Sequence, residues 1–253
     1  MPPSTCCRRG QAKPPSWPRH AKRSLRSSRS RCTTDAALIA FHPMTLRTLW
    51  LIRHGQSTAN AGEATSDAGA SPLTELGREQ AETAARHIDR PPDTLIVSPF
   101  RRAQETAAPI LRRWPDTRAQ IWPIQEFTYL SAAKCAGLNV FERRPLADAY
   151  WERADPDYRD GDDAESFMQF AARLREFHER VQKLGGFVVA VGHGQFFHAY
   201  QQALTMGLEA TPQWMRNFRA TDLLSPIENG QIVRIESPMP AAQWGVPPPA
   251  RPR

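Results

Sequence analysis

Leu51-Ile52-Arg53-His54-Gly55-Gln56-Ser57-Thr58-Ala59-Asn60 closes a short apolar run, Thr48–Ile52, and its reading decides the fold. Five apolar or β-branched residues that stop abruptly at a polar, glycine-containing loop read as a buried strand delivering side chains to a site. A neutral imidazole such as His54 is a good nucleophile towards phosphorus, and the phosphohistidine it forms is labile. Arg53 beside it offers a planar fork of donors suited to phosphate oxygens. Gly55 permits close backbone approach, and Asn60 adds a neutral donor.

Strands and helices alternate outward from this segment. A helix is expected over Thr74–Asp89, with Leu76, Ala81, Ala84, Ala85 and Ile88 on its apolar face. Thr94–Val97 reads as the next buried strand, ended by Ser98-Pro99, and Arg101–Arg113 as a helix kinked at Pro109. Ile121-Trp122 suggests a third short strand. Glu165–Leu184 carries apolar residues at offsets 0, 3, 4, 7, 10, 14 and 17 from Phe167, one stripe of period 3.6. Gly185-Gly186 stops it before Phe187–Val191, the cleanest buried strand, and a further helix follows over Gln195–Leu204. Asn229-Gly230 between short apolar runs predicts a hairpin turn. The alternation implies an α/β fold, a three-layer α/β/α sandwich whose central sheet is mostly parallel. Ligand sites in such folds lie beyond the carboxyl ends of the strands, which is where Arg53-His54, Arg102, Glu126 and His193 fall.

Two further segments carry chemistry. In Ser98-Pro99-Phe100-Arg101-Arg102-Ala103 an Arg in the first helical turn points into the site above the sheet, adding to the positive potential of a helix N-terminus. In Val191-Gly192-His193-Gly194 an imidazole leaves a buried strand between two glycines; protonated, it would donate to phosphoryl oxygens as charge develops.

Together LIRHGQSTAN, PLTELGREQA at 72–81, SPFRRAQETA at 98–107 and VGHG at 191–194 resemble the histidine phosphatase superfamily (branch 1), with its phosphoglycerate mutase-like fold, across roughly residues 46–236. The resemblance implies a metal-independent phosphatase with no cofactor, acting on a small phosphorylated substrate. It makes His54 the phosphorylated nucleophile, with Arg53, Asn60, Arg102 and His193 around the phosphate. Arg102 is chosen over Arg101 because the Arg of that motif directly precedes Ala in Arg-Ala-x-x-Thr. The family's proton donor follows the third strand, and Ile124-Gln125-Glu126-Phe127 fits its setting, so Glu126 is the candidate general acid. The glycine-containing sequel usual there is replaced by Phe127-Thr128-Tyr129-Leu130. A mutase shares the same pocket, but only Ala61–Pro72 separates the nucleophile motif from Leu73-Thr74, which favours hydrolysis. A non-catalytic scaffold that kept the pocket is a third reading.

The net charge of +7 is not a property of this domain. Residues 1–43 hold nine Lys or Arg against Asp35 alone, and the other 210 residues carry 24 bases against 25 acids. The tail, rich in Pro, Ser and Arg, lacks the apolar surface to offset its ordering entropy. It reads as a disordered extension, a transit peptide, or sequence upstream of the true start. The last is favoured, because Met44 opens directly into the first strand and Pro14, Pro15 and Pro18 interrupt a targeting helix. The domain is placed at 44–237 and a Pro-rich tail at 238–253. Nucleic acid is not expected as a partner, since charge runs are more often simply solvated. Only Cys135 lies in the domain, so no disulfide framework is available there and a reducing, cytoplasmic setting is expected. No apolar run approaches the ~20 residues that span a bilayer. Asp155, Asp157, Asp160, Asp162 and Asp163 fail the register of a calcium loop, because Arg159 and Asp160 fall where an acid and a glycine are needed. They read as a solvated loop capping the following helix or as substrate rim. His87 and His178 are expected to face solvent and His198 to pack. The tryptophans at 114, 122, 151 and 214 are expected in core or rim.

Overall fold

The structure, a computed structural model, describes residues 47–65, 67 and 69–236; the readings made for the tails 1–43 and 238–253 and for Met44 fall outside the described residues. Each central strand is buried on both faces, and its side chains divide by the period of two. In β1 (Arg47–Arg53), Leu49 and Leu51 enter one core cluster and Ile52 the other. In β2 (Thr94–Val97), reached through α1 (Glu75–His87), Ile96 faces the first cluster while Leu95 and Val97 face the second. This two-sided burial is what an α/β sandwich requires.

The chain continues through α2 (Arg101–Arg113), β3 (Ala119–Ile121), α3 (Ala132–Cys135), α4 (Arg144–Arg153), α5 (Phe167–Val181), β4 (Gly186–Gly192), α6 (Gly194–Met206), α7 (Pro212–Leu224) and β5 (Ile232–Glu236). The sheet order is β3-β2-β4-β1-β5, parallel except for β5, which lies antiparallel on the edge against β1. α1 and α2 cover one face through Ala84, Ile88, Ala103 and Ile110; α5, α6 and α7 cover the other with Phe167, Phe170, Phe196, Tyr200 and Phe218. The three-layer, mostly parallel expectation therefore holds. α5 starts at Phe167 behind a capping box in which Ser166 Oγ accepts from Gln169 N and Gln169 Oε1 accepts from Ser166 N.

Three local expectations change. Asn229-Gly230 is a turn, with Gly230 at φ 77°, but it does not close a hairpin, because the strand after it pairs with β1, remote in sequence. His178 is buried rather than solvent-facing: its Nδ1 meets Tyr200 Oη at 3.1 Å. The aspartate loop does not cap α5, which Ser166 does; Asp160 accepts from Ser131 N and Lys134 Nζ, and Asp163 from Ala133 N, so the loop clamps α3. The helix expected over Arg101–Arg113 is α2, with Pro109 inside it. Trp122, Trp151 and Trp214 are core, as expected.

The segment Leu73-Thr74-Glu75-Leu76-Gly77 acquires a physical reason here. Thr74 caps α1, its Oγ1 accepting from Gly77 N at 3.0 Å, and Thr74 N donates to Gln56 O at 2.9 Å. The first turn of α1 thus lies directly on the loop after His54. A Cβ on Gly77 would stand 2.0 Å from Gln56 O, and one on Gly55 would stand 2.2 Å from Gly77 O, so both glycines are there for close backbone approach. Gly77→Ala is expected to lower the unfolding free energy by about 1–3 kcal/mol in a urea titration, since backbone must shift to admit the methyl. An unchanged midpoint would mean that α1 is not packed on this loop.

Candidate active site

Register builds the site. β1 pairs with β4 so that Arg53 stands opposite Gly192, and β2 pairs with β4 so that Val97 stands opposite Val191. The three strands therefore end at one level, and the next residues out are His54, Ser98 and His193. Backbone bonds carry the alignment past the strand ends, from His54 N to Gly192 O at 2.9 Å and from Ser98 N to Val191 O at 3.0 Å. The two imidazoles stand edge to face, with centroids 4.9 Å apart.

Hydrogen-bond chemistry fixes the protons on both rings. A carbonyl only accepts, so the 2.7 Å contact of His54 Nδ1 with Gly55 O makes Nδ1 the protonated nitrogen. A guanidinium only donates, so Arg102 Nε at 3.0 Å donates to the lone pair of His54 Nε2. His54 is thus a neutral imidazole with its Nε2 lone pair aimed at Arg102. In His193, Nδ1 accepts from Arg102 Nη2 at 3.2 Å, so the proton sits on Nε2 and is donated to Ser98 Oγ at 2.8 Å.

Burial dominates the electrostatics. It holds both imidazoles well below their ordinary range, and the Arg102 charge adds to the effect in each. For His193, burial and the positive charges of Arg102 and Arg53 favour the neutral ring. Arg102 itself is depressed to about 10, first by burial, and stays charged at neutral pH. It also lies over the Phe100 ring at 4.8 Å. Arg53 Nη1 donates to Ile227 O, while its buried Nε has no partner among the described residues.

Glu126 faces the same pocket from the loop after β3. Arg53 and Glu126 line a cavity of about 250 Å³ together with Gln195 and Asp222. Burial raises the Glu126 carboxyl above the carboxylate range, although Arg53 and Arg102 pull it down; Asp222 adds a smaller push upwards. Gln195 N, in the first turn of α6, approaches Glu126 Oε2 at 3.5 Å. Asn60 stands at the rim rather than among the buried groups. Its Oδ1 accepts from Ser57 N and Oγ at 3.2 and 3.0 Å, and Asn229 Nδ2 bridges from that oxygen to His54 O.

Several residues of the site carry no signal in isolation. Thr106, one turn after Arg102, donates to Arg102 O at 2.7 Å and accepts from Gly55 N at 3.1 Å, tying the nucleophile loop to α2. Arg173 forms a two-point pair with Glu165 at 2.6 and 2.7 Å and donates to Pro123 O and Gln125 O, which holds the strand exit carrying Glu126. Ser98 and Asp222 complete the set. Only the Thr of Arg-Ala-x-x-Thr could have been found from spacing, since i and i+4 share a helix face.

This geometry gathers two imidazoles and two guanidiniums at the carboxyl ends of parallel strands, a donor set suited in its chemistry to an anion. A profile of the histidine phosphatase superfamily (branch 1) matches residues 49–232, and the chain belongs to that superfamily. It is 30% identical over 150 residues to the adenosylcobalamin/α-ribazole phosphatase of Salmonella typhi, covering 55% of this chain and 67% of that protein. Among solved structures, a mycobacterial glucosyl-3-phosphoglycerate phosphatase in complex with VO3 is 27% identical with a TM-score of 0.58, covering 74% of this chain and 90% of the other. The α-ribazole phosphatase of Shigella flexneri, 24% identical with a TM-score of 0.57, covers 74% and 89% and shares the fold. The relatives are phosphatases, and the chain is a phosphoric monoester hydrolase of their kind.

Ser98→Ala removes the acceptor of a fully buried N–H. It is expected to cost about 1–3 kcal/mol of stability by urea titration at neutral pH. No loss at all would mean that Ser98 does not hold His193.

Proposed function

We propose that the protein hydrolyses a small phosphomonoester without a metal, through a phosphohistidine on His54. The observation that carries this reading is the neutral His54 ring, locked by Gly55 O so that Nε2 is the free base. In the resting site Arg102 occupies that lone pair. An arriving phosphoryl group takes Arg102's N–H bonds onto its own oxygens and exposes Nε2 for in-line attack. Arg53, with its unpartnered Nε, and Arg102 neutralise the equatorial oxygens, the task that metal ions perform in other phosphoryl-transfer sites. The dianion also supplies the opposite charge that the empty site withholds, so His193 takes up a proton on binding and donates to the transferring group. Asn60 Nδ2 adds a neutral donor at the rim.

Glu126 protonates the leaving alkoxide as the P–O bond breaks and the N–P bond forms. As a carboxylate it then takes a proton from water, whose oxygen attacks phosphorus and frees His54 with release of inorganic phosphate. Its raised pKa suits the first role, since the acid form persists above the usual carboxylate range. A reducing, cytoplasmic setting fits Cys135, which is buried and unpaired. Among the described residues no helix is long and apolar enough to cross a membrane.

The first test is hydrolysis of p-nitrophenyl phosphate by the full chain in EDTA, beside His54→Ala. Turnover should survive chelation and vanish in the variant, and rapid quenching should trap an acid-labile phosphoprotein only in the wild type. Activity that depends on a bisphosphate primer would point to a mutase instead. Glu126→Gln should cost about 10²–10⁴-fold in kcat with alkyl phosphates. The loss should be far smaller with p-nitrophenyl phosphate, whose leaving group needs no proton; equal losses would remove Glu126 as the acid.

The pH profile follows from the two shifts. His54 must be neutral, and its lowered pKa pushes the acidic limb of kcat/KM below the ordinary histidine range. Glu126 must be protonated, and its raised pKa moves the alkaline limb above the ordinary carboxylate range. Alkyl phosphates should therefore be hydrolysed best under mildly acidic conditions, with the alkaline limb missing in Glu126→Gln. A limb that persists in that variant belongs to another group.

A further inference from the structure

A second, larger cavity of about 760 Å³ adjoins the phosphate pocket. Two chain junctions set it beside the site. Glu126 and Asp222 line the small cavity beside Arg53, and the residues directly after them, Phe127 and Leu223, line the large one. Asn60, bridged through Asn229 to the His54 backbone, lines it too. From this position we infer that the large cavity receives the alcohol part of the substrate, and that this part is a bulky, ring-containing apolar group with a second anionic charge remote from the scissile phosphate. The inference rests on the phosphatase reading above.

The walls argue for the apolar ring. Phe127 is stacked on Phe170 at 4.4 Å and set beside Tyr129 at 5.3 Å, giving a rigid aromatic wall. Around it stand Leu130, Val140, Phe141 and Leu223, of which Phe141 is 76% and Leu223 63% exposed. Apolar side chains gathered exposed around a concave site gain most when an apolar ligand covers them. A sugar phosphate would bring several hydroxyls against this aromatic and aliphatic wall, and each hydroxyl left unpaired there loses the bonds it had with water.

The charges argue for the second anion. Three arginines and two aspartates line the cavity, but the aspartates are engaged elsewhere: Asp148 with Arg144 at 3.8 Å, and Asp163 with Ala133 N at 3.0 Å. Arg143 and Arg219 have no carboxylate partner among the described residues. Arg219 lies over Trp151 at 5.3 Å, which fixes its guanidinium on the wall. Three guanidiniums against two carboxylates leave the cavity with an excess of positive charge, and Arg143 and Arg219, neither paired with a carboxylate among the described residues, favour a carboxylate or second phosphate on the ligand.

The test is initial-rate kinetics of the full chain on three esters that share a primary alkoxide leaving group: 4-hydroxybutyl phosphate, 4-phenylbutyl phosphate and 4-(4-carboxyphenyl)butyl phosphate. The phenyl compound should exceed the hydroxyl compound by about 10–100-fold in kcat/KM, from burial of the ring. The carboxylate should add about 3–10-fold more through charge-assisted bonds. Arg219→Gln combined with Arg143→Gln should collapse the carboxylated-to-phenyl ratio to near one, and Ala132→Trp, which fills the cavity, should collapse the phenyl-to-hydroxyl ratio. Equal kcat/KM for all three esters, or a preference for the hydroxyl compound, overturns the inference while leaving the phosphatase reading intact. A phenyl preference without any carboxylate gain overturns the assignment of Arg143 and Arg219. If neither these esters nor p-nitrophenyl phosphate turn over, the phosphatase reading fails. Calorimetric binding of 4-phenylbutyl phosphonate against 4-hydroxybutyl phosphonate then still tests the cavity by the same ratio.

Discussion

The donation from Arg102 Nε to His54 Nε2 is the contact on which the rest of the site depends. Because a guanidinium has no lone pair to offer, it can share this space only with a neutral imidazole presenting an acceptor. That single requirement sets the His54 tautomer, which Gly55 O then accepts from the other side. The same guanidinium turns its second nitrogen to His193 and thereby fixes the other ring, whose remaining proton falls to Ser98. A short chain of donors, each with one possible direction, therefore orders four residues from three different strand ends before any substrate arrives. Such preorganisation is worth more in a buried site than in water, since no reorientation is needed when charge develops.

The arrangement is electrostatically costly to the fold, and the signs differ among its members. Both histidines are depressed, so the unfolded chain binds protons that the native chain refuses as pH falls through the ordinary histidine range, and folding loses stability there. Glu126 is raised, so its contribution favours the native state at low pH and is lost as pH rises through its folded pKa. The opposed shifts favour neutral imidazoles beside a neutral carboxyl, the pairing that the proposed acid–base chemistry needs. The supporting structure is correspondingly redundant: two-sided strand burial, the Arg173–Glu165 pair beneath the Glu126 segment, and the glycine contact between α1 and the nucleophile loop.

The sheet and the pocket were legible in the sequence because their signals are local or periodic. Runs such as Phe187–Val191 are buried on both faces, and the stripe from Phe167 shows its period directly. What spacing could not convey is pairing. The Asn229-Gly230 turn looks like a hairpin until β5 is seen lying on β1, a partner chosen by the open sheet edge rather than by proximity in sequence. His178 looked solvent-facing among charged neighbours, yet it is on the packed side of α5 because Tyr200 supplies a buried partner from α6. Residue type alone likewise does not convey that burial and Arg102 favour a neutral His193 ring. The unusual sequel to Glu126, Phe127-Thr128-Tyr129-Leu130, lines the neighbouring cavity.

That last point bears on how specificity is divided along the chain. The histidines and arginines of the candidate site come from strand ends whose register is fixed by the core, so they can hardly move without unmaking the sheet. The large cavity is instead assembled from a loop, a one-turn helix, the start of α4 and the end of α7, elements joined to the sheet mainly by side-chain packing. Its residues lie at 59–60, 127–148, 163 and 219–223, too scattered for any motif to announce them. Chemistry held by the register and recognition held by packed periphery can change independently, because altering the second leaves the backbone bonds of the first untouched. The departure from the usual glycine after Glu126 falls at this boundary, where an aromatic side chain can shape the wall while the carboxyl beside it stays in place.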